Sequence, residues 1–179
     1  YGGYHFEVKL LRGHTFGQCG LYEPEKKLMF VGDQLMTTIV PIVGTQETDL
    51  GMLKCYLDSL GDLKHNYKDC YFLPCHYGEI RNVEKEVNRI ILGYLEKCEI
   101  MKHVLEEAGT ALTTRDIGVR TYGRSQGPPD YAHFASCTQI WAKTFSCMEY
   151  MMGEGFVERS ERDGIIYWKA PSIHFENNR

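Results

Sequence analysis

The sequence predicts a mixed α/β fold for residues 1–98, followed by a smaller unit of two helices and a β-hairpin. Short runs with alternating apolar residues stand between turn residues near the start of the chain, as expected for β-strands. Two longer segments repeat apolar residues every three or four positions, as expected for helices. A Gly/Pro-rich loop and an Asp-Gly turn then divide the C-terminal part into short elements.

Four strands are predicted in the first unit. The first runs from His5 to Leu11, and the second and third, at Gly20–Tyr22 and Lys27–Val31, flank a hairpin connection with Pro24 at a turn position. A fourth, short apolar strand is predicted from Cys70 to Cys75. Its end is marked by Pro-Cys-His, because proline interrupts strand pairing.

Two helices complete this part of the chain. The first is predicted from Thr48 to about His65, with Thr48 as a possible N-cap and leucines at helical spacing. The second is predicted from Val83 to about Ala108 and carries one apolar face, with Gly109 able to close it as a C-cap. Its predicted apolar positions are Val87, Ile90, Ile91, Tyr94, Leu95, Cys98 and Met101.

The character of the sequence changes after the long helix. Thr113–Asp116 is typical of an N-cap that opens a short helix, and a second helix is predicted from Tyr131 to Met152, after a loop at Gly123–Asp130. Asp163-Gly164 then predicts a hairpin turn between two short strands. Helix, helix and β-hairpin in this order are typical of a winged helix. The domains are therefore predicted to be 1–98 and 99–179.

Composition limits the classes of function. At 43% hydrophobic and 25% charged residues, with a net charge of −4, the sequence is typical of a soluble globular protein. No apolar run approaches the roughly 18 residues needed to cross a bilayer. The chain opens on Tyr-Gly-Gly-Tyr, which predicts no signal peptide, and the lack of an initial Met is what a fragment of a longer protein would show.

The seven cysteines are an odd number without any C-x-x-C, and they predict free thiols in a reducing cytoplasm. Cys70, Cys75 and His76 are close enough in sequence to suggest a zinc knuckle. Buried free thiols are the favoured alternative for this cluster.

Three metal-capable side chains each follow a predicted strand. They are His14 in Gly-His-Thr-Phe-Gly, Asp33 after Val-Gly, and His76 after Leu-Pro-Cys. Ligands at strand ends suit a metal site, because the sheet holds the backbone rigid while the loops converge. Two imidazoles and a carboxylate are donors that zinc or iron accepts. Each residue taken alone is more often a surface or turn residue.

The ordered set of these motifs resembles a known family. His14-Thr15-x-Gly17, a hairpin, Gly32-Asp33, a helix with Tyr56-Leu57-x-Ser59-Leu60, and Leu73-Pro74-x-His76 are similar to the C-terminal half of metallo-β-lactamase-superfamily hydrolases of the glyoxalase II-like kind. The resemblance covers residues 5–100. It implies the C-terminal half of an αββα sandwich in the first domain, with the winged helix appended, as in some of these hydrolases.

The resemblance also implies a site and a chemistry. His14 would bind a first metal ion, Asp33 would bridge two ions, and His76 would bind the second, the metal being zinc, iron or manganese. Hydrolysis of an ester, thioester or related small substrate by a metal-bound hydroxide would follow. Thr15, Gln34 and Tyr77 are expected beside these ligands or along the substrate cleft.

The sequence departs from the family in ways that bear on activity. The family's upstream H-x-H-x-D-H motif has no match, and Gln18 and Gln34 stand where family members commonly have histidine. His76 is followed by Tyr77 before the glycine. The chain alone is therefore predicted to be inactive. Either the N-terminal half was lost by truncation or proteolysis, which is favoured because all three alignable ligands persist, or the parent protein is a degenerate member.

The sequence is compatible with three classes of function. The leading hypothesis is a fragment of a metal-dependent hydrolase that acts on a small molecule. The alternatives are a nucleic-acid-processing member of the same superfamily and a non-catalytic interaction protein. The half sandwich is expected to pack on the missing N-terminal half or on a second copy of the chain. Nucleic acid is not expected as a partner, because Lys143 is the only basic residue in the candidate recognition helix, and no membrane partner is expected.

Overall fold

The computed structural model describes residues 2–43, 51–123 and 131–171, and within the last range it describes side chains from 137 onward. The chain divides into two compact units, Tyr1–Glu96 and Lys97–Arg179. The division falls two residues before the predicted boundary at 98, inside a long helix. Among the described residues, no helix combines the length and apolar character needed to cross a membrane.

A four-stranded sheet forms the framework of the first unit. Its order along the sheet is β1-β2-β3-β4. The first three strands pair antiparallel, β1 and β2 through the loop at 11–18 and β2 and β3 through a tight turn, and β4 lies parallel to β3 after a helical crossover. Local antiparallel pairing needs only short turns, whereas the parallel pair requires a long connection. The strands are β1 Glu7–Leu10, β2 Cys19–Glu23, β3 Leu28–Gly32 and β4 Tyr71–Pro74.

The predicted hairpin between β2 and β3 is present. The buried carboxylate of Glu23 accepts a hydrogen bond from the Lys26 amide at 2.6 Å, and Lys27 completes the turn with a positive φ. This side-chain bond satisfies a turn amide that the ladder cannot reach.

Helix α1, Met52–Asn66, provides the crossover between β3 and β4. Its buried side chains recur at helical spacing and contribute to the core. The predicted start was wrong: the helix begins at Met52 with Gly51 as its N-cap, and no side chain caps it. Thr48, the predicted cap, lies outside the described residues. The apolar period predicted the helix, but it did not locate its first residue.

Helix α2, Val83–Ala108, has the bounds that were predicted from its periodicity. Val87, Ile90 and Tyr94 are fully buried, and the same face continues through Cys98 and Met101. Leu95, which was placed on this face, is 39% exposed. The predicted C-cap is present, because the Gly109 amide donates to the Leu105 carbonyl at 3.3 Å.

The two faces of the sheet differ sharply in burial. The side chains of Met29, Val31 and Phe72 on one face are 0% exposed and belong to the core. The opposite face carries four apolar side chains that are neighbours through the strand register and are between 41% and 67% exposed. We call this the open face, and its residues are Val8, Leu10, Leu21 and Phe30. Alternation along each strand produces both faces from the same sequence.

The second unit contains, besides the end of α2, a three-stranded antiparallel sheet of order β5-β7-β6 and two helices. Trp168 is fully buried, donates its indole N–H to Thr114 Oγ1 at 2.8 Å, and meets Phe145 edge to face. These contacts link β7 to both helices. The elements are β5 Leu112–Thr113, α3 Thr114–Tyr122, α4 Tyr131–Gly153, β6 Glu158–Arg162 and β7 Ile165–Lys169.

Local signals in this unit agree with the structure. The predicted N-cap at the start of α3 is present at Thr113, and the structure adds a reciprocal capping box with Asp116. Asp163 and Gly164, both with positive φ, form the two-residue turn between β6 and β7. The predicted loop at 123–130 lies outside the described residues from 124 onward.

Candidate metal centre

Three strand ends converge at one edge of the sheet. β3 and β4 are parallel, so Asp33 and His76, which follow them, leave the sheet at the same edge. β1 is antiparallel to β2, which is antiparallel to β3, so the end of β1 also points this way. His14 follows β1 by a short loop. The topology therefore brings together three residues that are far apart in sequence.

Asp33 lies between the two histidines. Its Oδ2 is 3.6 Å from Nε2 of His14, and its Oδ1 is 3.5 Å from Nε2 of His76. The side chains of His14 and Asp33 are 23% and 28% exposed, whereas His76 is 60% exposed. The carboxylate therefore faces one imidazole with each oxygen, at a site that is open to solvent on the His76 side.

The tautomer of His14 is fixed by a backbone group. Its Nδ1 lies 2.7 Å from the carbonyl oxygen of Ile42, which can only accept, so Nδ1 carries the proton. In a neutral ring, Nε2 then directs a lone pair towards the Asp33 carboxylate. A metal cation placed between these two acceptors would be bound by both. A backbone carbonyl on the far nitrogen is also what holds metal-binding histidines in place.

The arrangement fits metal ions in donor type and spacing. Two ligands of a tetrahedral zinc ion lie about 3.4 Å apart, close to both of the nitrogen–oxygen distances at this site. Asp33 Oδ1 is also buried without a hydrogen-bond partner among the described residues, which is costly for a carboxylate oxygen. His14, Asp33 and His76 are thus suited to hold metal ions.

The three residues do not enclose a single ion. Within the described parts of the chain, no group of three or more His, Cys, Asp or Glu side chains meets the geometry of one metal site. Each oxygen of the Asp33 carboxylate instead faces a different imidazole.

Gln34 and Gln18 lie beneath this edge and connect its loops. Gln34 is fully buried and donates from Nε2 to the Arg12 carbonyl at 3.2 Å and to Ser59 Oγ at 3.0 Å. Gln18 donates to the Val31 carbonyl at 3.1 Å. Gln34 was predicted beside the ligands or along the cleft, and full burial places it below the site. The hydrogen bonds of these glutamines connect the strand ends that precede His14 and Asp33.

The other two residues predicted near the site have different positions. Thr15 is exposed, and its carbonyl accepts bonds from Gly13 and Gln18 within the His14 loop. Tyr77 is 54% exposed and has a positive φ, and its carbonyl accepts a bond from Thr37 Oγ1 at 3.2 Å. Tyr77 therefore stands at the solvent side of the edge, next to His76.

The suggested zinc knuckle is not formed. Cys70 precedes β4 and Cys75 follows it, so the two residues are separated by a strand that rises about 3.3 Å per residue. Cys70 is buried and Cys75 is exposed, and each of the seven cysteines is a thiol rather than half of a disulfide. Burial raises the pKa of the Cys70 thiol, which disfavours the thiolate that zinc needs. The alternative prediction of buried free thiols therefore holds for Cys70 but is wrong for Cys75, which is an exposed thiol.

Two surface depressions lie away from this edge. One, of about 660 Å³, is lined by residues at the starts of β3 and β4, among them Lys27, Lys68, Asp69 and Arg81. The other, of about 440 Å³, shares Lys68 and adjoins the end of α1. Their linings mix both charges and contain none of the predicted ligands.

Several contributors were not predicted from the sequence. Ile42 acts only through its carbonyl, and no side-chain pattern indicates such a role. Arg89 donates to two carbonyls of the segment after Asp33, but on α2 it has the pattern of an ordinary polar residue. Ser59 was part of the quoted helix motif, although its bond to Gln34 was not foreseen.

No protein-family model and no curated protein matches the sequence. Solved structures do match the fold. A metallo-beta-lactamase family protein from Thermus thermophilus is 22% identical with a TM-score of 0.77, and the match covers 94% of this chain and 50% of that one. A beta-lactamase domain protein from Burkholderia ambifaria is 19% identical with a TM-score of 0.80, and the match covers 94% and 49%.

A protein solved in a di-iron-bound form is 27% identical over 44% of this chain, but its TM-score of 0.34 supports no comparison of folds. The first two matches show that this mixed α/β chain shares part of the metallo-β-lactamase fold. The chain spans about half the length of these solved chains.

Gly13 allows the His14 loop to pack closely against helix α1. We predict that Gly13→Ala is strongly destabilising. Gly13 has φ +148, and an added Cβ would lie 2.7 Å from the Tyr56 Cα, a backbone atom that cannot rotate away. We expect a loss of at least about 2 kcal/mol in the free energy of unfolding, measured in urea.

The matched control is Gly17→Ala in the same loop, where an added Cβ meets nothing within 4 Å and φ is not positive. Its effect should stay within about 0.5 kcal/mol. Equal effects of the two substitutions would contradict the role given to Gly13.

Proposed function

We propose that this chain is part of a metal-dependent hydrolase of the glyoxalase II-like kind, acting on an ester, thioester or related small substrate. The observation that carries the proposal is the position of Asp33 between His14 and His76, one carboxylate oxygen towards each ring. Support also comes from the shared metallo-β-lactamase fold and from the order of the strand-end motifs.

His14, His76 and Asp33 would each have a distinct role at this edge. His14, held by the Ile42 carbonyl, and His76 would each contribute Nε2 to an ion, and Asp33 would contribute one oxygen to each. Zinc, iron or manganese bound there would supply Lewis acidity and an activated water at neutral pH. Asp33 would also add negative charge between the two imidazoles, because its carboxylate faces both rings.

We further propose that the chain alone has no hydrolase activity. Three protein ligands divided between two ions leave each ion with too few donors to be held firmly. The H-x-H-x-D-H motif of the family is absent from the sequence, and the solved chains of this fold are about twice as long. The remaining ligands would come from a preceding half. A degenerate parent that kept the scaffold as an interaction protein is the alternative.

The second unit is proposed to be a winged helix. Its elements follow the order β5, α3, α4, β6, β7, and β7 lies between β5 and β6 in the sheet. The end of α2 would serve as its first helix. In the leading hypothesis this unit shapes the substrate cleft or an assembly contact rather than a nucleic-acid interface.

A reducing compartment such as the cytoplasm is proposed for the protein. None of the seven cysteines, all of which lie in the described residues, is paired in a disulfide, and Cys98 and Cys147 are neighbouring thiols in the second unit. In an oxidising compartment, close thiols tend to form disulfides.

Metal binding tests the proposal directly, and we predict that Asp33→Asn weakens it. The amide keeps the shape of the side chain but removes the negative charge shared by the two ion positions. Titration of the 179-residue chain with zinc should show weak binding in the wild type and at least about a tenfold higher Kd in the variant.

The matched control is Asp58→Asn, which alters an exposed carboxylate on α1 paired only with Lys54 in the described structure. It should bind zinc as the wild type does. Wild-type chain that binds no zinc, or an Asp33→Asn variant that binds as well as wild type, would reject the metal-site proposal.

The open face is proposed to be covered in the functional protein by the preceding half. Its four apolar residues belong to three adjacent strands, which makes a continuous apolar surface rather than scattered exposed side chains. Leaving such surface in water costs about 25 cal/mol per Å². The isolated chain can reduce this cost by pairing with a second copy.

We therefore predict that the isolated chain self-associates through the open face, and that Phe30→Glu converts it to a monomer in light scattering. A charge buried at an apolar interface is unfavourable by several kcal/mol. Leu92→Glu is the matched control, because Leu92 is 64% exposed on α2 and lies outside this face. A wild-type chain that stays monomeric at high concentration, without a companion chain, would count against the prediction.

The second unit offers little that nucleic acid could use. Thr144, Ser146 and Met148 on α4 are buried, as is Cys147, which lies beside Cys98 of α2. Lys143 is half-buried, and this burial lowers its pKa. The apolar character of α4 is therefore used for packing, which disfavours the nucleic-acid-processing alternative.

We predict no mobility shift with duplex DNA, hairpin RNA or single strands at micromolar protein and about 50 mM salt, where electrostatic binding is strongest. In the hairpin, Arg159 and Arg162 lie over Trp168 and Tyr167 and alternate with acidic residues. Retardation that weakens steeply with added salt would instead favour the nucleic-acid-processing hypothesis.

A further inference from the structure

The segment after Asp33 is held by side chains rather than by regular backbone pairing. We call residues 34–43 the strap, because they form no helix or strand and yet contain the fully buried Leu35 and Val43. Irregular backbone in a buried position must find hydrogen-bond partners outside a ladder.

Donors on α1 and α2 reach four carbonyl groups of the strap. Tyr56 of α1 donates to the Gln34 carbonyl at 2.8 Å. Arg89 of α2 donates from Nη2 to the carbonyls of Met36 at 2.6 Å and Ile39 at 3.2 Å, and Tyr94 of α2 donates to that of Pro41 at 2.5 Å. The next carbonyl, that of Ile42, accepts the bond from His14 Nδ1.

The donors themselves have little freedom to move. Tyr56 and Tyr94 are 0% exposed, and their rings meet edge to face with centroids 5.9 Å apart. Glu86 fixes the Arg89 guanidinium through an ion pair of 2.8 Å at Nε. Burial raises the pKa of Tyr56 far above its usual value, against a smaller opposite effect of Arg89, so this phenol remains a donor.

We propose that Tyr94 and Arg89 are positioning residues for His14, acting through the strap. Tyr94 holds the peptide that precedes Ile42. Arg89 holds two carbonyls earlier in the strap, those of Met36 and Ile39. Together they orient the Ile42 carbonyl, which keeps the proton of His14 on Nδ1 and leaves Nε2 directed at Asp33. The inference rests on the proposed function in one respect, that His14 Nε2 is a metal donor.

Position along the strap explains why Tyr94 matters most. When Tyr94 lacks its hydroxyl, the Pro41 carbonyl loses its hydrogen bond to α2. The adjoining peptide can then rotate. The Ile42 carbonyl then turns away from His14, and the imidazole no longer has a partner that selects one tautomer. Tyr56 holds the opposite end of the strap, beside Asp33, so its loss should disturb His14 less.

The experiment compares Tyr94→Phe with wild type in the full 179-residue chain. Nitrogen-15 NMR of the metal-free protein identifies the His14 tautomer, and zinc titration gives its affinity. We expect a single Nδ1–H tautomer in wild type and a mixture in Tyr94→Phe, with a zinc Kd raised about tenfold, as for other residues that orient a ligand.

Two control variants separate positioning from loss of stability. Tyr122→Phe removes a buried hydroxyl that has no hydrogen-bond partner among the described residues, and it lies in the other unit. Tyr56→Phe removes an equally buried phenol–carbonyl bond from the strap. Both should keep the wild-type His14 tautomer, although Tyr56→Phe should lower the urea midpoint.

The outcomes are distinguishable. A single wild-type tautomer in Tyr94→Phe, or an equal tautomer mixture in Tyr56→Phe, would overturn the proposal. If Tyr94→Phe does not fold, Arg89→Lys replaces it, because lysine lacks the planar fork of Arg89, and an unchanged His14 tautomer there would also overturn it. A wild-type chain that binds no zinc would reject the proposed function, while the tautomer comparison would still decide the role of the strap.

Discussion

The parallel pairing of β3 with β4 is the constraint on which the candidate site depends. It places the ends of two strands that are separated by the whole of α1 at one edge of the sheet, and so brings Asp33 to His76. The pairing is irregular between Phe30 and Gly32, and Gly32 has a positive φ. Its carbonyl nevertheless accepts the Cys75 amide at 3.1 Å, so β4 remains joined to β3 up to the ligands. A side chain at 32 would also displace the Gln18 amide, which lies where a Cβ would be.

Rigidity at this edge comes from hydrogen bonds between loops rather than from the sheet itself. Gln18 and Gln34 bond the His14 loop to the end of β3, and the strap is bonded to α1 and α2. Such bonds between side chain and backbone take over where strand pairing stops. The loops that carry His14 and Asp33 are therefore held by hydrogen bonds on their buried side. His76 and Tyr77 remain at the solvent side. An edge built this way suits a site that must keep its ligands oriented and still admit a substrate.

The first unit combines this ordered edge with an open sheet face, and both features have one explanation if the chain is half of a larger fold. An apolar face of this size is unfavourable in water, yet the alternation in β1, β2 and β3 maintains it. The solved chains of the same fold are about twice as long, and in the function proposed above the additional half would cover this face and complete the ligand set. In the second unit, Trp168 is fully buried and meets Phe145 edge to face.

The sequence by itself determined the elements whose signals are local. Periodicity predicted α2 from Val83 to Ala108, side-chain chemistry predicted the Thr113 cap, and turn chemistry predicted the Asp163-Gly164 hairpin, because each depends on residues a few positions apart. The order of strand ends also identified His14, Asp33 and His76 as candidates. Tertiary structure decided what local signals cannot encode. The start of α1 at Gly51, the burial of Gln34, and the selection of the His14 tautomer by a carbonyl 28 residues away all depend on contacts between distant segments. A backbone carbonyl is present in every residue, so only the folded chain shows which one His14 meets.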